Sequence, residues 1–171
     1  MNLFEEFLSE GIIRRLPETE KQDYVRFFEH TYQDNLKAAE DNLKTHPRWA
    51  IIAGYYAMHD LAKLFLAEQF SLKIGEERVH LATITALKQV LKEEDAKAKL
   101  LELLENAENI FSVNISRYLA KGKKERGKVQ YYNFKTDFER IKDNSSAFLN
   151  EIVKPFIKII EGLMKVMKND K

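Results

Sequence analysis

Four side chains with acid–base or hydrogen-bonding capacity recur at helical spacing in one segment, Ala53-Gly-Tyr-Tyr-Ala-Met-His-Asp-Leu-Ala-Lys63. At about 100° per residue, Tyr56, His59, Asp60 and Lys63 fall within roughly 100° of one another. A phenol, an imidazole, a carboxylate and an amine thus share one helix face. Such a face can bind a polar ligand in a groove between helices. The plain alternative is a set of buried groups satisfied by their neighbours, for example a His59–Lys63 face covered by the last helix. Histidine titrates close to neutral pH, so His59 is the member of the set suited to moving a proton.

Further candidates lie outside that segment. Arg78 and His80 stand where the next helical pattern opens. Lys121-Gly-Lys-Lys-Glu-Arg-Gly-Lys128 combines five basic side chains with two glycines, and Tyr131, Tyr132 and Phe134 follow it at once. Basic residues beside aromatics can hold phosphates and stack bases, which makes Lys123, Lys124, Arg126, Tyr131 and Tyr132 candidate contacts. The alternative is a solvated loop. Other chemistries are poorly supplied. There is no cysteine, which excludes disulfides, thiolate metal sites and cysteine nucleophiles. The four histidines include no His-x-x-x-His pair, and no metal site is expected. No glycine-rich phosphate loop occurs, and no cofactor is expected. Ser112 and Ser116 have no neighbouring base to make them nucleophiles.

The scaffold implied for these residues is helical throughout. A chain of 171 residues suits one domain and is long enough to bury roughly 70% of the surface its unfolded form exposes. Apolar residues make up 44% and charged residues 32%, a globular balance. Only 6 glycines and 3 prolines occur, which permits long helices and argues against a turn-rich β sandwich. The net charge of +1 gives no whole-molecule attraction to nucleic acid, so any such binding must come from a local patch. The longest apolar run, Trp49–Met58, has ten residues, half of the roughly 20 that a bilayer-spanning helix needs. With acids at Glu5 and Glu6 in place of a basic leader, no membrane association and a cytoplasmic location are expected.

Leu3, Phe4, Phe7, Leu8, Ile12 and Ile13 predict a short N-terminal helix within residues 1–17, closed by Pro17. Thr19-Glu-Lys-Gln22 reads as a capping box opening a long helix to about Leu43, with Tyr24, Phe28, Tyr32 and Leu36 on its apolar side. Pro47 suits the start of a third helix, about Arg48 to Gln69. Its density of Ala and Gly predicts a central element packed on several sides. Gly75 breaks the chain before a helix at about Glu77–Leu91. Asp95 is positioned to cap a fifth, whose apolar pattern runs to Leu119 and gives way to a loop at Lys121–Lys128. Thr136-Asp-Phe-Glu139 predicts the start of a last helix, kinked at Pro155 and carried by Ile141, Phe148, Ile152, Phe156, Ile160 and Met167, with a frayed tail at 168–171. No segment alternates with period two for long enough to predict a strand. The expectation is an all-α, single-domain antiparallel bundle of five or six helices spanning 1–171.

Tyr55-Tyr-Ala-Met-His-Asp-Leu-Ala-Lys-Leu-Phe-Leu66 resembles the alanine-rich central helix of HEPN domains, the nucleotide-binding domains of higher eukaryotes and prokaryotes. Arg78-Val-His80 is similar to the family's histidine at the next helix, and Arg126 to Phe134 resembles its basic-then-tyrosine segment before the last helix. The order of helices agrees over about Glu20 to Met167. The resemblance implies a bundle that is frequently dimeric. It also implies binding or cleavage of RNA, in toxin-like nucleases or in partners of small nucleotidyltransferases. The family's nucleases carry Arg-x(4–6)-His in the last helical region, where histidine moves the 2′-hydroxyl proton and arginine stabilises phosphate charge. Here Arg140 is followed by Ser145 and Ser146, and Arg26-Phe-Phe-Glu-His30 has the wrong spacing in the wrong helix. No catalytic residue is therefore assigned.

The leading expectation is a HEPN-like binding module for RNA or nucleotide, or for a nucleotidyltransferase-type protein. Its candidate surface is Tyr56, His59, Asp60, Lys63, Arg78, His80, Lys123, Lys124, Arg126, Tyr131 and Tyr132. One rival is a toxin-like, metal-independent endoribonuclease with His59 or His80 as general base. The other is a structural homo-oligomer. A homodimer is expected in any case, because Phe4, Phe7, Phe27, Phe65, Phe70 and Phe156 are more large apolar groups than one small core readily takes in.

Overall fold

Asn2 opens the first helix, α1 (Leu3–Ser9), with a capping box: its side chain accepts from the Glu5 N–H at 2.9 Å, and the Glu5 carboxylate accepts from the Asn2 N–H at 3.0 Å. The computed structural model describes residues 2–125 and 144–169, those of 113–125 by their backbone alone. The helix expected to continue through Ile13 stops at Ser9. Gly11 turns the chain at φ +74°, and Ile13–Arg15 becomes a strand, β1, paired antiparallel with β2 (Leu72–Ile74). Ile13 lies opposite Ile74, and both are buried. Ile12 and Ile13 are β-branched and need burial, which a short ladder supplies as well as a helix turn does. Gly75 closes the pairing. Its N–H donates to the Ile12 carbonyl at 2.8 Å, and a Cβ there would meet that same oxygen at 3.0 Å.

The second helix, α2, spans Glu18–Asn42. The expected Thr19–Gln22 capping box does not form. Pro17 is the N-cap and has no side-chain cap bond, while Glu18 and Glu20 place negative charge in the first turn. Phe28, Tyr32 and Ala39 are buried, and Leu36 half-buried. After a short connection, Pro47 begins α3 (Pro47–Phe70), the central helix. It contacts α2, β2 and every later element among the described residues. Ile51, Tyr55, Ala57, Met58, Leu61, Ala62, Phe65 and Leu66 have no exposed surface, as its small-residue composition predicts. Ser71 ends the helix in the left-handed conformation and turns the chain into β2.

The fourth helix, α4 (Val79–Val90), starts two residues later than its pattern suggests. The fifth, α5 (Glu94–Glu125), buries Leu100, Leu103, Leu104 and Ala107. Asp95 lies inside its first turn and is not its cap. The loop expected from Lys121 begins as helix: 121–125 are the last turn of α5, because Lys and Glu are good helix formers and outweigh Gly122. Residues 126–128, Tyr131, Tyr132 and the capping box at Thr136–Glu139 lie outside the described residues.

The expected kink at Pro155 takes a particular form. The turns before it, Phe148–Val153, are π-helical, and α6 (Lys154–Asn169) follows. A proline ring clashes with the carbonyl four residues back, here that of Glu151, and widening the preceding turns moves that carbonyl aside. The Lys154 N–H donates to Leu149, five residues back. The widened turn sits against Gly54 of α3, where a Cβ would meet Val153 Cγ2 at 3.1 Å and Phe148 Cε1 at 3.2 Å. The tail expected to fray from Lys168 is helical to Asn169, and Lys168 pairs with Glu68 at 2.9 Å.

The molecule is an all-α bundle, with one small two-stranded ribbon among the described residues. No helix among the described residues is long and apolar enough to cross a membrane. Of the six phenylalanines expected to exceed one core, Phe7, Phe65 and Phe156 are fully buried, Phe4 and Phe70 half-buried, and Phe27 59% exposed.

Candidate functional site

Of the four residues expected to share one polar face, three are divided between two helix junctions. Asp60 and Lys63 turn toward α2. Their charged atoms lie 3.9 Å apart, Asn35 donates to the Asp60 carboxylate at 3.0 Å, and the Lys63 ammonium lies 5.0 Å from the centre of the Phe28 ring. Burial pushes the Asp60 carboxyl up, against the pull of Lys63, and pushes the Lys63 amine down, against the pull of Asp60. His59, by contrast, turns toward α4 and α5. Tyr56 is 47% exposed and joins neither buried set.

His59 belongs with Tyr55, one turn before it on α3, and with His80 from the first turn of α4. The Tyr55 hydroxyl lies 2.6 Å from His80 Nδ1, and the same nitrogen lies 3.2 Å from His59 Nε2. The rings form a tight cluster, with the two imidazoles edge to face at 4.6 Å and Tyr55 stacked on Phe111 of α5 at 4.2 Å. Tyr55 is fully buried and His59 only 3% exposed, whereas His80 is half-buried. His59 Nδ1 has no hydrogen-bond partner. Burial, then the His80 and Lys63 charges, push His59 down to about 3, so it is neutral at physiological pH. Burial lowers His80 as well, opposed by the Glu108 carboxylate. Burial, with Glu108, pushes the Tyr55 phenol well above its ordinary range.

The turn before α4 places His80. Arg78 is its N-cap in the left-handed conformation at φ 48°, and its guanidinium lies 4.8 Å from the centre of the Phe7 ring. Arg78 is itself exposed, and this contact links the start of α4 to α1. Glu77 precedes His80 by three residues, a spacing that can serve metal binding on a helix, but it is exposed and precedes the helix. No group of three or more His, Asp or Glu suited to a metal ion occurs among the described residues.

Around the outer edge of the cluster lie exposed Tyr56, half-buried Phe111 with its ring 6.1 Å from that of Tyr56, half-buried His80 and, one turn before Phe111, Glu108. Sequence reasoning missed Tyr55, Asn35, Glu108 and Phe111. Tyr55 had a signal, since it precedes His59 by four residues. Glu108, Phe111 and Asn35 had none, because their part depends on how α5 and α2 lie on α3. Lys123 and Lys124 fall in the last turn of α5, and Arg126, Tyr131 and Tyr132 lie outside the described residues.

Fold and site define a helical bundle with a buried phenol–imidazole–imidazole cluster that opens on an aromatic rim. No protein-family model, curated protein or solved structure matches the chain.

Proposed function

We propose that this chain is a HEPN-like binding module for single-stranded RNA or a nucleotide, with Tyr56, Phe111 and His80 as its base-contacting rim. The observation that carries the reading is that rim: an exposed phenol ring and a partly open phenyl ring that both contact Tyr55, whose hydroxyl meets a half-buried imidazole. Exposed aromatic faces stack bases of any sequence, and an imidazole supplies one directional polar contact. The helix that carries Phe111 continues to Lys121, Lys123 and Lys124, about 15–20 Å further along its axis, which is a span of a few nucleotides. The resemblance of Tyr55–Leu66 and Arg126–Phe134 to HEPN segments supports the same reading. Cleavage is the weaker alternative, since His59 is buried, neutral and in contact with His80.

Fluorescence anisotropy with labelled single-stranded RNA tests the proposal. Tyr56→Ala should weaken binding by about 1–3 kcal/mol and leave its salt dependence unchanged, because stacking releases no counterions. Changing Lys123, Lys124 and Arg126 together to Ala should flatten the salt dependence by about 0.7 in log–log slope for each phosphate no longer neutralised. Absence of RNA binding by the folded protein would overturn the proposal. Trp49 and Phe27, 60% and 59% exposed on the α2–α3 hairpin, would then favour a protein partner, of the nucleotidyltransferase type or a second copy of this chain.

A further inference from the structure

Two imidazoles and a phenol in contact can be protonated in only a few ways, and burial makes the choice. Suppose first that the His80 proton is on Nδ1. It would then donate to Tyr55 or to His59 Nε2. The Tyr55 hydroxyl would lose its acceptor, and a neutral His59 accepting at Nε2 would carry its own proton on Nδ1, which has no partner. Two buried donors would be orphaned. Suppose instead that His80 Nδ1 is bare. Tyr55 and His59 Nε2–H then share its one lone pair, the phenol at the shorter distance, so no donor is orphaned, and only a lone pair on His59 Nδ1 lacks a partner. An unpaired buried N–H or O–H is the costlier defect, so the second arrangement prevails. A phenol held above its ordinary range and a histidine held neutral both suit it.

The consequence reaches the surface. With Nδ1 engaged by Tyr55 and His59, His80 keeps its proton on Nε2, the nitrogen left for a ligand. Glu108 lies on the same face of α5 as Phe111, one turn earlier, and its charge bears on both Tyr55 and His80. We infer that Tyr55 and His59 are positioning residues that hold His80 in its Nε2–H tautomer, so that the rim offers a donor at His80 beside an acceptor at Glu108 and reads the edge of a guanine base. Guanine alone among the four bases presents two neighbouring N–H groups, at N1 and N2, beside a carbonyl, O6. The carboxylate accepts from the N–H groups, the imidazole donates to O6, and Tyr56 supplies a face for the ring. A bare phosphate is a poor ligand for the same rim, because Glu108 repels it.

This inference rests on the proposed RNA reading, and two measurements keep their failures apart. Long-range proton–nitrogen correlation spectra of the labelled protein report the His80 tautomer without any ligand. A protonated Nε2 and a bare Nδ1 are expected, and a proton on Nδ1 overturns the inference whatever binds. Anisotropy is then read with labelled octauridylate and with the same strand carrying one central guanosine, adenosine or cytidine. The guanosine strand is expected to bind about tenfold more tightly than the others, and Glu108→Gln to abolish that preference. His59→Gln, which keeps a donor toward His80, is expected to retain the preference. The double variant Tyr55→Phe with His59→Leu is expected to lose it while still binding octauridylate. Equal affinity for all four strands overturns the base reading and leaves the RNA proposal standing. No binding to any strand overturns both.

Discussion

On its α2 side, α3 buries Asp60 and Lys63 against Asn35 and the Phe28 ring, whereas on its α4–α5 side it buries Tyr55 and His59 against His80 and Phe111. Both clusters hold buried polar groups, and their α3 members follow one another within nine residues, Tyr55 and His59 before Asp60 and Lys63. The first is charged and answered within the chain: ammonium faces carboxylate, and an amide donates to that carboxylate. The second is uncharged, shares a single acceptor between two donors and leaves one imidazole nitrogen without a partner. A buried ion pair must be completed by its own neighbours, because an unanswered charge inside a bundle costs several kcal/mol. A neutral network tolerates an open end, and here that end is His80. The difference separates a group of residues that holds two helices together from one that can meet a ligand.

The largest expected effect tests the charged cluster. Asp60→Ala leaves the Lys63 ammonium without its carboxylate, with only 18% of its side chain exposed, and should destabilise the fold by about 3 kcal/mol in denaturant titration near neutral pH. A loss below about 1 kcal/mol would mean that the pair is solvated and that the two regions do not differ in kind.

A smaller effect tests the neutral cluster through pH. His59 has a folded value of about 3 against an ordinary 6.5, so between those values the unfolded chain binds one more proton than the native one. Its contribution to stability is complete above about pH 6.5 and declines as the pH falls toward 3. Stability from this group should be about 2 kcal/mol lower at pH 5 than at pH 8. His80, also lowered, acts in the same sense, while the raised Asp60 acts in the opposite one. The informative quantity is therefore the difference between the wild type and His59→Leu, whose profile should be flatter across this window. Parallel profiles would show that His59 is not held neutral.

The smallest effects distinguish adjacent residues. Tyr55→Phe removes a buried hydroxyl that donates at 2.6 Å and should cost about 1 kcal/mol, whereas Tyr56→Ala on the open rim should change stability by less than about 0.5 kcal/mol. If Tyr56→Ala proves the more destabilising, the rim is part of the core and the binding proposal loses its stacking surface.

The helical pattern determined much of this protein on its own. The long second helix, the start of α3 at Pro47, its central burial and the break at Gly75 all follow from periodicity, small residues and proline or glycine chemistry. These are local effects, written within a turn or two of each residue. Where two local states both satisfied the residues, the tertiary contacts chose. Ile12 and Ile13 fit a helix stripe equally well, but β2 lay alongside to pair with them. The distortion near Pro155 was legible, while its form as a widened turn depended on Gly54 making room for Phe148 and Val153. The candidate site divides in the same way. Spacing put Tyr56, His59, Asp60 and Lys63 within about 100° of one another on α3, but the structure does not join them in one site. Which neighbour each would meet was decided by α2 on one flank and by α4 and α5 on the other, because a helix fixes the direction of a side chain and only the packing of helices fixes what stands in its way.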